Sequence, residues 1–342
     1  MRENGGQPAG CVRAASGQSA AVFVPVDLDG LVPDTAPEFP LYFQSEPGHF
    51  VLLRGARVEF TMVQVQRLRE FGVSTLWVAD ADHHLYEHYV EHHLSTLLAS
   101  TREPERKAAL LYSAARTTLA SVLVDPRHCD VGPRTRRIAE ELGSWVAREP
   151  GVLGYMGALM ARDYDTVRHS INVTVFSTSL AVASGVRGCR VLQDYTHGVL
   201  LHDVGKSRIP RELIVKPGAF TEDELALMQT HVAEGEDILA SDGRLPATAM
   251  VAVSQHHERM DGSGYPRRIP GPDLHLFGRI TAICDVYDAL TSDRSYKPAI
   301  AGVDALTLMT TELVAQFDQK LVRRFIGTLR APSSRPRLGR VA

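Results

Sequence analysis

The stretch HHERMDGSGYP at residues 256–266 limits what this chain can fold into more than any other. It ends the helical segment ATAMVAVSQHHER, which Pro246 opens, so two imidazoles stand side by side where a helix runs out. Neighbouring helical residues point about 100° apart, so His256 and His257 cannot grip one partner as an i, i+4 pair can. They can reach two partners that lie next to each other, such as two metal ions. A fold that satisfies both must bring further ligands from elsewhere in the chain.

Candidates lie in the same half, which reads as almost wholly helical from residue 151. DTVRHSINVTVFSTSLAVASG sets Val173, Phe176 and Leu180 on an apolar face, with His169 on that side and Gly185 as the stop. YTHGVLLHDVGK reads as a second helix, ended by Gly205 and carrying His202 and Asp203. TEDELALMQTHVAEGEDILAS opens with the capping box Thr221-x-x-Glu224. Its expected core stripe is Leu225, Met228, Val232, Gly235 and Leu239, with His231 beside it. FGRITAICDVYDALTS brings Asp285, and Gly278, Ala282 and Ala289 share its face, so that helix can come close.

Five histidines and two carboxylates thus converge from five helices. One histidine on an apolar face is usually a hydrogen-bonded core residue. Burying seven polar groups without a compensating partner is costly, and bound cations supply the partner. A bridging Asp203 carboxylate and a bridging water complete two near-octahedral sites with open positions. Mixed imidazole and carboxylate ligation suits Fe or Mn, with Zn or Ni also compatible.

Upstream, residues 1–20 read as a flexible tail. Residues 21–95 read as a small α+β domain: AVFVPV, PLYFQ, HFVLLR and STLWVAD as strands, TMVQVQRLREFG as a helix closed by Gly72. His84, His88 and His92 recur at helical spacing, but with Glu87 and Glu91 beside them they read as a polar face. Residues 96–150 read as a helical linker, 151–332 as the helical domain and 333–342 as a basic tail. The expected fold is mainly α, an all-α domain behind a small α+β one. A net charge of −3 gives no pull toward nucleic acid or membrane. No apolar run reaches the roughly 18 residues of a spanning helix. Cys11, Cys129, Cys189 and Cys284 form no CxxC pair, which points to a reducing compartment and a cytoplasmic location.

HDVGK, then HHERMDGSGYP, then DVYDALTSDRSY resembles the HD-GYP branch of the HD phosphohydrolase superfamily. HS-x-NV at His169, IP-x-E-L-I-x-KPG at 209–218 and H-x-x-x-G at His231 extend the match. A lone HD dipeptide is weak evidence; the ordered set is specific. The family's members are bacterial phosphodiesterases that hydrolyse the second messenger cyclic di-GMP. The resemblance implies that His169, His202, Asp203, His231, His256, His257 and Asp285 bind two divalent ions. It implies that Lys206, Arg294 and Lys297 contact substrate phosphate, and that Tyr265 and Pro266 form a stiff lip of the pocket that also serves partner proteins. It implies that Asp203 and Lys206 carry the catalysis, a metal-bridging hydroxide attacking the phosphodiester to give pGpG, with further cleavage to GMP left open. Asp165, one turn before His169, stands where some members gather a third ion. Other readings stay open: hydrolysis of another cyclic dinucleotide such as 3′3′-cGAMP, a non-catalytic cyclic di-GMP receptor or interaction module, and a di-iron redox or oxygen sensor. A sensory or regulatory role for residues 21–95 rests on position alone, and the oligomeric state is open.

Overall fold

The computed structural model describes residues 12–13, 21–124, 126, 131–149, 151–160, 165–243, 245–293 and 298–330. Both expected tails lie largely or wholly outside these residues, as do Cys11 and Cys129. The chain divides into two compact units, Met1–Arg102 and Glu103–Ala342.

The first unit is a five-stranded antiparallel sheet with two helices. Its elements are β1 (Val12–Arg13), β2 (Val22–Asp27), β3 (Leu41–Glu46), β4 (His49–Arg54), α1 (Met62–Glu70), β5 (Thr75–Ala79) and α2 (His83–Ser100). The sheet order is β1-β2-β5-β3-β4. β5 alternates as a half-covered strand should, with Leu76 and Val78 fully buried in a cluster that includes Val26, Phe39 and Val65. α1 starts at a Thr61–Gln64 capping box, and Gly72 after it takes a φ of +73°, a conformation that favours glycine. His84, His88 and His92 are exposed on α2, the polar face expected of them.

The second unit is helical: α3 (Pro104–Val124), α4 (Val131–Arg148), α5 (Val152–Gly157), α6 (Thr166–Ala183), α7 (Cys189–Leu200), α8 (Arg211–Ile214), α9 (Glu222–Gln229), α10 (His231–Asp242), α11 (Ala247–Gln255), α12 (Leu276–Thr291), α13 (Gly302–Thr311) and α14 (Gln319–Arg330). Its core joins α6, α7, α12 and α14 through Val173, Leu180, Tyr195, Ile280 and Phe325. Each such side chain contributes about 1.5–3 kcal/mol by burial. Tyr195 stacks on Phe277 at 4.1 Å and hydrogen-bonds Thr281 Oγ1.

Three expectations need correcting. The segment 96–150 is not a linker: α3 and α4 pack on α6 and α7, with Leu111, Ile138 and Leu142 buried. The helix carrying His202 stops at Leu200, so His202 and Asp203 lie in a turn leading into a 3-10 segment, Val204–Arg208. The helix carrying His231 breaks at Thr230, and Leu225, expected in its core stripe, is 46% exposed. The apolar period runs on through Thr230, but the side-chain bond of His231 to the Met228 carbonyl at this point cannot be read from it.

Candidate metal centre

The ends of helices build this site. His256 and His257 follow the last residue of α11, His202 and Asp203 follow α7, and His231 opens α10. His169 lies in the first turn of α6 and Asp285 midway along α12. Close backbone approach brings these pieces together. A Cβ on Gly205 would overlap the His231 carbonyl oxygen, and one on Gly198 would overlap the Ala249 carbonyl. Gly278 lets α12 lie against Gln255, the residue before His256.

Asp203 is the hub. Its Oδ2 lies 3.5 Å from the Nε2 atoms of both His169 and His202. Its Oδ1 lies 3.4 Å from His231 Nε2 and 3.8 Å from His256 Nε2. Asp285 spans the same gap, Oδ1 at 3.0 Å from His169 Nε2 and Oδ2 at 3.5 Å from His257 Nδ1. Two groups of metal-compatible atoms result, Asp203–His231–His256–His257 and His169–His202–Asp203, and they share Asp203. Among the described residues no other group of three or more has such geometry.

Hydrogen bonds fix how the rings face. His202 Nδ1 donates to Val199 O, His231 Nδ1 to Met228 O and His256 Nδ1 to Val253 O, at 2.7–2.8 Å. A carbonyl can only accept, so in each neutral ring Nε2 is a bare lone pair. Burial pushes the pKa of His231 down to about 4 and those of His202, His256 and His257 down as well, so these rings are neutral near pH 7. His231 Nε2 and His256 Nε2 are 3.3 Å apart, two lone pairs pointed at each other. His202 Nε2 and Asp203 Oδ1 are buried without any hydrogen-bond partner. Such a donor set fits divalent cations, which satisfy all of these atoms at once.

Burial alone would raise the carboxyl pKa of Asp203, but Lys206 and the surrounding imidazoles outweigh it and hold Asp203 well below the usual carboxylate range. Lys206 Nζ sits 2.5 Å from Asp203 Oδ2, so the expected phosphate contact is here the ion-pair partner of the hub. Tyr265 stacks on His257 with ring centres 4.6 Å apart, and Pro266, joined by a cis peptide bond, is exposed. Burial raises the Tyr265 phenol well above its ordinary value, so it stays protonated. Arg294 and Lys297 lie outside the described residues. Asp165 does not join the cluster. It is exposed, its Oδ1 caps α6 through the Arg168 N–H, and its Oδ2 pairs with the Arg168 guanidinium.

Sequence reasoning missed two buried carboxylates. Asp288 accepts from His169 Nδ1 at 2.7 Å and from Asn172 Nδ2 at 2.9 Å. Glu258 accepts the backbone N–H groups of Arg267 and Ile269, tying the far side of the GYP loop to the residue after the paired histidines. Gly264 completes that loop, since a Cβ there would meet Glu258 Cα at 2.5 Å. The available signals were position alone: Asp288 is one turn beyond Asp285, and Glu258 adjoins His257.

A family model described as HD domain matches residues 178–321. A solved structure of an HDG"Y"P protein from Bdellovibrio bacteriovorus superposes with a TM-score of 0.63 at 17% identity, covering 90% of this chain and 99% of that one. A cyclic di-GMP phosphodiesterase of Pseudomonas aeruginosa is 30% identical over 313 residues, 86% of this chain and 75% of that protein. This chain belongs to the HD-GYP phosphodiesterase family. A second relative, the 3′3′-cGAMP-specific phosphodiesterase 2 of Vibrio cholerae, is 38% identical over 172 residues, 50% of this chain and 33% of that protein. No helix among the described residues is long and apolar enough to cross a membrane.

Proposed function

We propose that this chain hydrolyses cyclic di-GMP to linear pGpG, with GMP as a later product. The observation that carries the reading is one buried carboxylate, Asp203, whose two oxygens face two separate sets of imidazoles. Residues His169, His202, Asp203, His231, His256, His257 and Asp285 would hold two divalent cations, Fe or Mn by the mix of nitrogen and oxygen donors. Bound there, such cations supply an activated water and positive charge for the phosphate oxygens.

The chain's own residues do the rest. Neutral imidazoles with Nδ1 already committed present Nε2 without reorganisation, which is what preorganised charge stabilisation requires. Lys206 brings an ammonium group to the edge of the cluster, and its flexible stem lets it follow a phosphate oxygen. Tyr265 screens His257 from water and offers a neutral hydroxyl donor at the mouth. Arg294 and Lys297 are proposed as further phosphate contacts. Asp165 already caps its helix, so a third ion is not part of the proposal.

The kinship with a 3′3′-cGAMP-specific enzyme supports a second reading, in which that dinucleotide is the substrate. Protein loaded anaerobically with Fe or Mn, incubated with both dinucleotides and sampled over time, separates the two. Formation of pGpG from cyclic di-GMP ahead of GMP is expected. Faster turnover of 3′3′-cGAMP replaces the substrate and keeps the chemistry. Binding of either without product would sink the enzymatic proposal in favour of a receptor.

A further inference from the structure

The Nδ1 protons of the central imidazoles go to unequal acceptors. Those of His202, His231 and His256 go to neutral carbonyls. That of His169 goes to a carboxylate, Asp288 Oδ2. Asp285 and Asp288 lie one turn apart on α12, so a single helix clamps both nitrogens of the His169 ring between carboxylates. Asp288 is 2% exposed and is held in turn by Asn172 Nδ2 and, at 3.4 Å, by Ser292 Oγ. A carboxylate draws the Nδ1 proton harder than a carbonyl does, which makes the opposite nitrogen a stronger donor to a cation. Its negative charge also falls on one side of the centre only, whereas Asp203 and Asp285 each share their two oxygens between both sides. Lys206 opposes this on Asp203 Oδ2, but an ammonium on a long stem can swing aside and a buried Asp288 cannot.

Resting on the dinuclear reading above, we propose that Asp288 is a positioning residue that makes the two metal positions unequal. The position next to His169 and His202 fills first and holds its cation more tightly; the position next to His231, His256 and His257 fills second.

Asp288→Asn is a close isostere. Its oxygen can take the His169 proton while its amide faces Asn172, whose own Oδ1 has no partner. The variant therefore removes charge and keeps shape. Calorimetric titration of Mn²⁺ alone into the metal-free full-length protein should show two steps in the wild type. Asp288→Asn should weaken the tighter step about 10–100-fold and leave the weaker one nearly unchanged. His231→Ala should leave one step, and adding Asp288→Asn should weaken it. Two wild-type steps with the tighter one insensitive to Asp288→Asn would overturn the inference and leave the dinuclear reading standing. Absence of any Mn²⁺ binding to the wild type would overturn that reading and the inference with it. Should Asp288→Asn fail to fold, Asn172→Ala removes the group that orients Asp288 and should weaken the same step alone. Loss on both steps alike, or on neither, counts against the proposal.

Discussion

At the scale of single residues, Asp203 has no substitute, because each of its oxygens serves a different set of imidazoles. Asp203→Ala is expected to lose bound metal and turnover together. The several kcal/mol of charge stabilisation at stake convert to about a thousandfold in rate. Elemental analysis beside kinetics checks this, and a variant with full turnover refutes the shared role. His197 makes a different, pH-dependent contribution. Its Nε2–H donates to Thr135 Oγ1, whose own hydroxyl donates to Val131 O, and its Nδ1 is buried without a partner. Burial, helped by the charge of Arg136, lowers its pKa from 6.5 to about 4. The unfolded chain therefore binds the extra proton between those values. Its contribution to stability is fully present above pH 6.5 and is lost as pH falls toward 4. The loss is about 3 kcal/mol. Urea unfolding of metal-free wild type and His197→Leu across that window should show a shallower pH slope in the variant. The converging histidines could be read from the sequence because His169 and His231 lie on or beside apolar stripes and His202, His256 and His257 sit in the HDVGK and HHERMDGSGYP stretches. Asp288 could not: its worth comes from His169, 119 residues away, and no local pattern announces such a partner.

At the scale of elements, helix crossings without room for a methyl group place the ligands. Gly198→Ala would drive a Cβ into the Ala249 carbonyl and push α7 from α11. It should cost about 3 kcal/mol or more, since backbone on both sides must move. Gly157→Ala, with open space around it, should stay within about 1 kcal/mol of the wild type. Thermal unfolding of the two variants makes the comparison, and equal losses would refute the packing argument. Most strands and helices of both units were visible in the hydrophobic period, and the Thr221 capping box marked the start of α9. Their ends were less so. α7 stops at Leu200 although its sequence continues in helical period to Gly205, and Thr230 interrupts a helix whose apolar stripe shows no break. In both places the chain leaves the helix to aim a histidine, and apolar periodicity does not report on aim. The helices at 104–148 were read as a connector because helical period alone does not name the surface that receives them, here α6 and α7.

At the scale of the whole molecule, the centre ties together α6, the turn after α7, α10, the segment after α11, and α12. Removing metal should therefore loosen all five at once. Ligands that bind only the folded state stabilise it by about 3–4 kcal/mol at a hundred- to thousandfold excess over Kd. Chelation is thus expected to lower the melting temperature and to speed amide exchange at those five places together. Exchange that quickens at only one of them would show that the others are held by packing alone.

Three of the rings at the centre are anchored the same way, each by a proton given to the carbonyl three residues behind it, at a helix end or break. Swivelling such a ring means first breaking that hydrogen bond inside a buried site. A cation seated on three rings so held should exchange with free metal more slowly than its affinity alone would set.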